Sequence, residues 1–195
     1  MPHTNESTIW GNIFRRESKS ETEKDMASAL ANVPIFSELN KREIQKIVRI
    51  AHKRKYKEGE EIVQKGQPSA GMYVIMRGEV KVTRRSDEGI EIRLATMSEG
   101  DFFGDVGLLD NAPRTATITA ITPSQVIGLF RPELLQLIER DPKLASKILF
   151  KLAQIVAVRL RVTNEKLERL AEEVKHLRAK ATVGREAEES ERGCL

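Results

Sequence analysis

Between residues 72 and 130 the chain is cut into apolar runs of five or six residues, spaced about ten apart and separated by turn chemistry. Near residue 131 the hydrophobic period then changes from two to 3.6. Met72–Met76 is a continuous run of large apolar side chains. Glu79–Thr83 alternates with Val80 and Val82 inward, and Ile90–Leu94 with Ile90, Ile92 and Leu94 inward. Ala116–Ile121 and Gln125–Phe130 complete the set. Gly66-Gln67-Pro68, Arg77-Gly78, Asp87-Glu88-Gly89 and Ser98-Glu99-Gly100-Asp101 supply the turns. Short strands at this spacing predict an antiparallel sandwich or roll.

Helical patterns flank the strands. Ile44, Ile47, Val48 and Ala51 recur at i, i+3, i+4 and i+7, with Pro34 breaking the chain before them. Pro132 and Pro142 stand at first helical positions, and Asp141 is a good N-cap for the helix that follows. That helix is expected to reach about residue 178, about 54 Å at 1.5 Å per residue. Leu160, Leu167 and Val174 fall at the a positions of a heptad seam, with Val156, Thr163, Leu170 and Leu177 at d. A sheet can cover only part of such a length, so a parallel homodimeric coiled coil is expected. The resulting division is a flexible arm over 1–25, a strand-rich body with flanking helices over 26–142, a dimerisation helix over 143–178 and a disordered tail over 179–195.

Composition removes whole classes. The 195 residues carry 33 basic and 29 acidic side chains, a net +4 that is no footprint for nucleic acid by itself. The basic Lys53–Lys57 cluster reads either as a nucleic-acid patch or as a solvated helix end leading into a strand. The one cysteine, Cys194, excludes an internal disulfide and fits a reducing compartment. It is second from the end, which is the wrong place for a prenylation signal. No apolar run approaches the ~20 residues of a membrane span, and no signal-peptide core is present, so a cytoplasmic location is expected. Collagen, disulfide scaffold and wholly disordered chain are also excluded. In the arm, Ile9, Trp10, Ile13 and Phe14 would share one side of a short helix, either packing back on the body or docking a partner.

One segment carries chemistry, Gly100–Thr117, reading GDFFGDVGLLDNAPRTAT. Gly100, Gly104 and Gly107 allow tight turns and close backbone approach to a ligand. Asp105–Leu109 fits one helical turn whose free N–H groups face an anion. Arg114 returns shortly afterwards, able to take a phosphate bidentately, with the Thr115 hydroxyl beside it. The alternative is a glycine-rich loop in which Arg114 pairs with Asp105 or Asp110. His3, His52 and His176 have no metal-ligand spacing, and no Walker-type, GxGxxG or GxSxG motif is present, so neither a metal nor an enzymatic activity is expected.

Gly66, the Gly71–Val80 run, Phe103–Leu109 and Pro113–Thr117 together resemble a cyclic nucleotide-binding domain, the family of the catabolite activator protein, the regulatory subunit of cAMP-dependent protein kinase and the cyclic-nucleotide-gated channels. The resemblance covers roughly residues 30 to 170. It implies an α+β, mainly β fold: an eight-stranded antiparallel β-roll, jelly-roll-like, flanked by N-terminal helices and a long C-terminal helix. It also implies that Arg114 holds the exocyclic oxygens of a cyclic phosphate and that backbone amides near Val106, Gly107 and Thr115 share the charge. Gly104 and Asp105 would meet the ribose 2′-hydroxyl. Arg159–Lys166 resembles the helix segment whose Thr163 and Asn164 positions reach the base at a dimer interface, although Thr163 alternatively only sets register. The ligand implied is cAMP or cGMP.

Two departures stand out. The family usually has glutamate where this chain has Asp105, one methylene shorter. A lost ribose hydrogen bond would cost on the order of 1.5–3 kcal/mol. Arg159–Lys166 also falls about four residues later than in the catabolite activator, roughly one extra turn. Only 32 residues follow Thr163, leaving no room for the helix-turn-helix that follows in that relative, so DNA binding in cis is not expected. The expected function is a non-enzymatic cyclic nucleotide sensor signalling in trans to a partner whose identity the sequence does not give. The alternative is a ligand-incompetent roll acting as a dimeric scaffold.

Overall fold

A computed structural model of the chain describes residues 19–86, 88–110 and 112–192, with 179–192 as backbone alone. The Ile9-Trp10-Ile13-Phe14 segment and Cys194 lie outside the described residues. The chain forms two compact units, one ending at Lys151 and the other starting at Leu152.

The first unit opens with α1 (Lys19–Ala31), a single 3-10 turn (Pro34–Phe36) and α2 (Lys41–Ile50). Helix α1 takes in residues 19–25, which the sequence pattern assigned to the arm, because Met26 and Leu30 bury its far end and give the helix something to extend from. Eight strands follow: β1 (His52–Tyr56), β2 (Glu61–Val63), β3 (Gly71–Arg77), β4 (Val80–Arg85), β5 (Glu91–Met97), β6 (Phe102–Phe103), β7 (Thr117–Ala120) and β8 (Ser124–Phe130). A short helix α3 (Asp105–Leu109) interrupts them after β6, and α4 (Arg131–Arg140) and α5 (Pro142–Arg192) follow them.

Two four-stranded antiparallel sheets result, in the orders β1-β8-β3-β6 and β2-β7-β4-β5. This is the expected β-roll. Ile75, Phe103 and Val126 from the first sheet meet Ile62, Val80 and Ile118 from the second in one buried cluster. Strand β3 is buried on both faces, which accounts for its unbroken Met72–Met76 run. Lys53–Lys57 belongs largely to β1, an edge strand paired to β8. Charged side chains on a sheet edge discourage pairing with other chains.

Strand β5 corrects one expectation. Ile90, Ile92 and Leu94 do not point inward; they are 59%, 49% and 55% exposed. β5 is the outer strand of its sheet and pairs only with β4, whose far end, Arg84 and Arg85, is itself exposed. The alternation identifies an apolar face, but no described element covers it. A register shift between Val82 and Thr83 kinks the β4–β5 ladder.

Helix α2 is fixed by a capping box. Asn40 Oδ1 accepts hydrogen bonds from the Arg42 and Glu43 amides at 2.9 and 3.0 Å, and Glu43 Oε2 accepts from the Asn40 amide at 2.8 Å. The other Glu43 oxygen takes Lys147 Nζ at 2.7 Å. Asn40→Ala is therefore expected to destabilise the protein by about 1 kcal/mol in urea unfolding, with no effect on ligand affinity. Asp141 caps α5 as the sequence predicts, Oδ1 accepting from the Leu144 amide at 3.2 Å while Oδ2 binds Lys46 at 2.6 Å.

In the second unit α5 is described through Arg192, past residue 178 where the heptad seam ends. Its Leu160, Leu167, Leu170, Val174 and Leu177 are all exposed.

Candidate functional site

After β6 the chain must reverse into α3 within one residue, and Gly104 does this with φ +77°. A Cβ there would overlap Arg114 Nη1 and lie 2.8 Å from the Gly71 carbonyl oxygen, so both backbone angle and space demand glycine. Gly107, in the first turn of α3, is equally confined: a Cβ would overlap Ser69 and stand 3.6 Å from Arg114 Nη1. The guanidinium thus lies over both glycines, where the sequence placed an anion seat.

Arg114 is held from two directions. Its amide donates to the Gln67 carbonyl at 2.9 Å, and its own carbonyl accepts from the Gly66 amide at 2.8 Å, fastening the strand entry to the loop between β2 and β3. Its Nη2 donates to the Gly71 carbonyl oxygen at 2.7 Å. That acceptor is neutral, so this bond orients the guanidinium without neutralising it. The guanidinium also lies 5.7 Å from the Tyr73 ring centroid, and Tyr73 stacks on Phe103 at 5.4 Å. Burial lowers the Arg114 pKa below its usual value while Tyr73 works in the opposite sense. A partly desolvated cation beside a pocket gains more from an anion than one in water.

Next to Arg114 is a cavity of about 350 Å³ whose walls include Ile62, Val63, Pro68 and Tyr73. Glu61, Gln64 and Gln67 complete the lining, and apolar surface with a few polar groups is the usual composition of a small-molecule site. A second concavity, over Thr83, Arg85, Glu91 and Thr117, shares Glu61 and Gln64 with the first but has no aromatic or aliphatic wall.

Gly104, Asp105, Val106, Gly107 and Arg114 come together around the turn into α3. Asp105 is 4% exposed and engaged within the fold, whereas Val106 points outward at 52%. Thr115 is exposed, its carbonyl accepting from Arg84 Nε at 3.3 Å. Thr163 and Asn164 are exposed residues of α5 in the second unit, Thr163 Oγ1 donating to the Arg159 carbonyl at 2.8 Å. Sequence reasoning missed Ser69, the Gly71 carbonyl and Tyr73 as parts of the site. The β3–β6 pairing, Tyr73 opposite Phe103, and the Arg114 bonds to Gly66 and Gln67 bring that segment to the site, contacts between residues distant in sequence.

Among the described residues no cluster of His, Cys, Asp or Glu is arranged to hold a metal, and no helix is long and apolar enough to cross a membrane.

The model of the cyclic nucleotide-binding domain matches residues 53–141. The chain is 30% identical over 142 residues to the CRP-like cAMP-activated global transcriptional regulator of Mycobacterium tuberculosis, covering 73% of this chain and 62% of that protein. It is 33% identical over 121 residues to the cAMP-dependent protein kinase regulatory subunit of Yarrowia lipolytica, covering 58% and 32%. The crystal structure of Thermus thermophilus catabolite activator protein superposes with a TM-score of 0.65 at 30% identity, covering 71% of this chain and 63% of that one. The chain therefore spans less than two thirds of the length of these relatives.

Proposed function

Because residues 53–141 form a domain of the cyclic nucleotide-binding family, we propose that the protein is a non-enzymatic regulatory sensor of a cyclic nucleotide, cAMP in the first instance, that signals to a partner in trans. The observation that carries this reading is the Arg114 guanidinium, lying over Gly104 and Gly107 and lining a cavity with Ile62, Val63 and Tyr73. Arg114 would take the exocyclic phosphate oxygens through paired N–H donors, joined by the amides of Val106 and Gly107. Gly104 and Asp105 would face the ribose, and Tyr73 with Ile62 and Val63 would shield the ligand from water.

The exposed stripe on α5 supports a second part of the reading. Leu160, Leu167 and Leu170 are 58–65% exposed. Apolar side chains at heptad spacing with no cover on their own chain are what a parallel homodimer buries. Ligand binding would act on a partner through that helix only if the ligand favours one helix arrangement over another.

Titration calorimetry of nucleotide-stripped protein with cAMP and with cGMP tests the reading. Saturable heat at micromolar affinity or tighter is expected for at least one. Silence from both at millimolar concentration would sink it. The short, buried Asp105 is the one feature favouring a ligand-incompetent scaffold instead. Under the sensor reading Asp105→Glu restores reach to the ribose and tightens binding about tenfold; a variant that leaves affinity unchanged removes Asp105 from the ribose contact.

A further inference from the structure

Ser69 lies in the loop between β2 and β3, is 5% exposed, and its hydroxyl has no hydrogen-bond partner. A hydroxyl taken out of water with nothing in return is a cost that native folds rarely leave standing. The other unpartnered buried atom among the described residues, Glu133 Oε2, belongs to a carboxylate whose second oxygen already bonds His52 at 3.2 Å. Ser69 has no such compensation.

Its surroundings show what is missing. The Ser69 hydroxyl packs directly on Gly107, so closely that a methyl group at 107 would overlap it, and that same point is 3.6 Å from Arg114 Nη1. Two residues along, the Gly71 carbonyl occupies Arg114 Nη2. The hydroxyl, the Arg114 Nη1 donor and the first-turn amide of Gly107 therefore converge on one small volume. All three are donors, or can be. Helix α3 is five residues long, too short to make an anion seat alone; the buried hydroxyl is the independent element that points to an acceptor there.

We propose that Ser69 is a further ligand contact, its hydroxyl donating a hydrogen bond to an exocyclic oxygen of the phosphate held by Arg114. The inference rests on the cyclic-nucleotide reading of the site. It adds a hydroxyl from the β2–β3 loop to the donors of the α3 turn, so that the phosphate is gripped by two segments distant in sequence.

Ser69→Ala, titrated against cAMP and against the two phosphorothioate diastereomers of cAMP, tests it. Removing a hydrogen bond to a charged oxygen is expected to weaken cAMP binding about tenfold or more. The thermal midpoint of the ligand-free variant should be unchanged or raised, since no protein partner is lost. The diastereomer carrying sulfur at the contacted oxygen should show little further loss on Ser69→Ala, and the other the full loss. Wild-type affinity in the variant, or equal losses for both diastereomers, overturns the Ser69 contact and leaves the sensor reading intact. Wild-type protein that binds no cyclic nucleotide overturns both.

Discussion

Arg114→Ala is expected to weaken cyclic nucleotide binding by roughly thirtyfold to several thousandfold, with the unfolding midpoint little changed. The range corresponds to about 2–5 kcal/mol for truncating one member of a buried, hydrogen-bonded charge pair. The upper part applies if the cavity excludes water once filled, since a phosphate left against Gly104 and Gly107 then has only amide dipoles to meet its charge. Folding stability should barely move. The ligand-free protein loses one hydrogen bond to the Gly71 carbonyl and one contact with Tyr73, but it is also relieved of a partly buried charge. Arg114→Lys should not rescue affinity. An ammonium on a flexible stem cannot hold the Gly71 carbonyl and present a planar fork at once. Calorimetry paired with urea unfolding reads both quantities. A truncated variant that binds as wild type would place the phosphate elsewhere.

Gly71→Ala should strike the fold itself, lowering stability by roughly 2–4 kcal/mol. Gly71 is the first residue of β3 and sits opposite Phe130 in the β3–β8 ladder. A Cβ there would overlap the Leu129 carbonyl oxygen and stand 2.6 Å from Phe130 Cα. Those are backbone atoms of the neighbouring strand and cannot swing aside as a side chain can. The ladder must open at this end, threatening the adjacent hydrogen bond from the Arg131 amide to the Ala70 carbonyl, 2.8 Å, where α4 begins. The same displacement moves the carbonyl that orients Arg114, so ligand affinity should fall alongside stability. Gly59→Ala makes the control: a Cβ there meets nothing within 4 Å, and the penalty is confined to its positive φ of +79°. A Gly71→Ala midpoint equal to that of wild type would mean that the two strands separate there without cost.

The β-roll was legible because turn chemistry and strand length are local properties, and β3, β4, β7 and β8 lie where the apolar runs predict. β1, β2 and β6 carry no such run. β1 is a charged edge, β2 has three residues and β6 only two, too short for alternation to register. β5 shows the opposite failure: its pattern is strong, yet periodicity reports that one face is apolar and is silent on whether anything lies against it. The site divides in the same way. Gly104, Gly107 and Arg114 belong to one continuous stretch whose spacing is readable. Ser69, the Gly71 carbonyl and Tyr73 reach it through sheet pairing and the loop's bonds to Arg114, which no single window of sequence contains.

The two backbone hydrogen bonds between Arg114 and the Gly66–Gln67 loop use no side-chain atom. Substitutions at Gln67, which lines the cavity, can therefore change what a ligand meets on that wall while the fastening of the Arg114 backbone persists. In evolutionary terms, anchoring and selectivity are separable here. A lineage could explore new base or sugar preferences through Gln67 without first surrendering the position of Arg114.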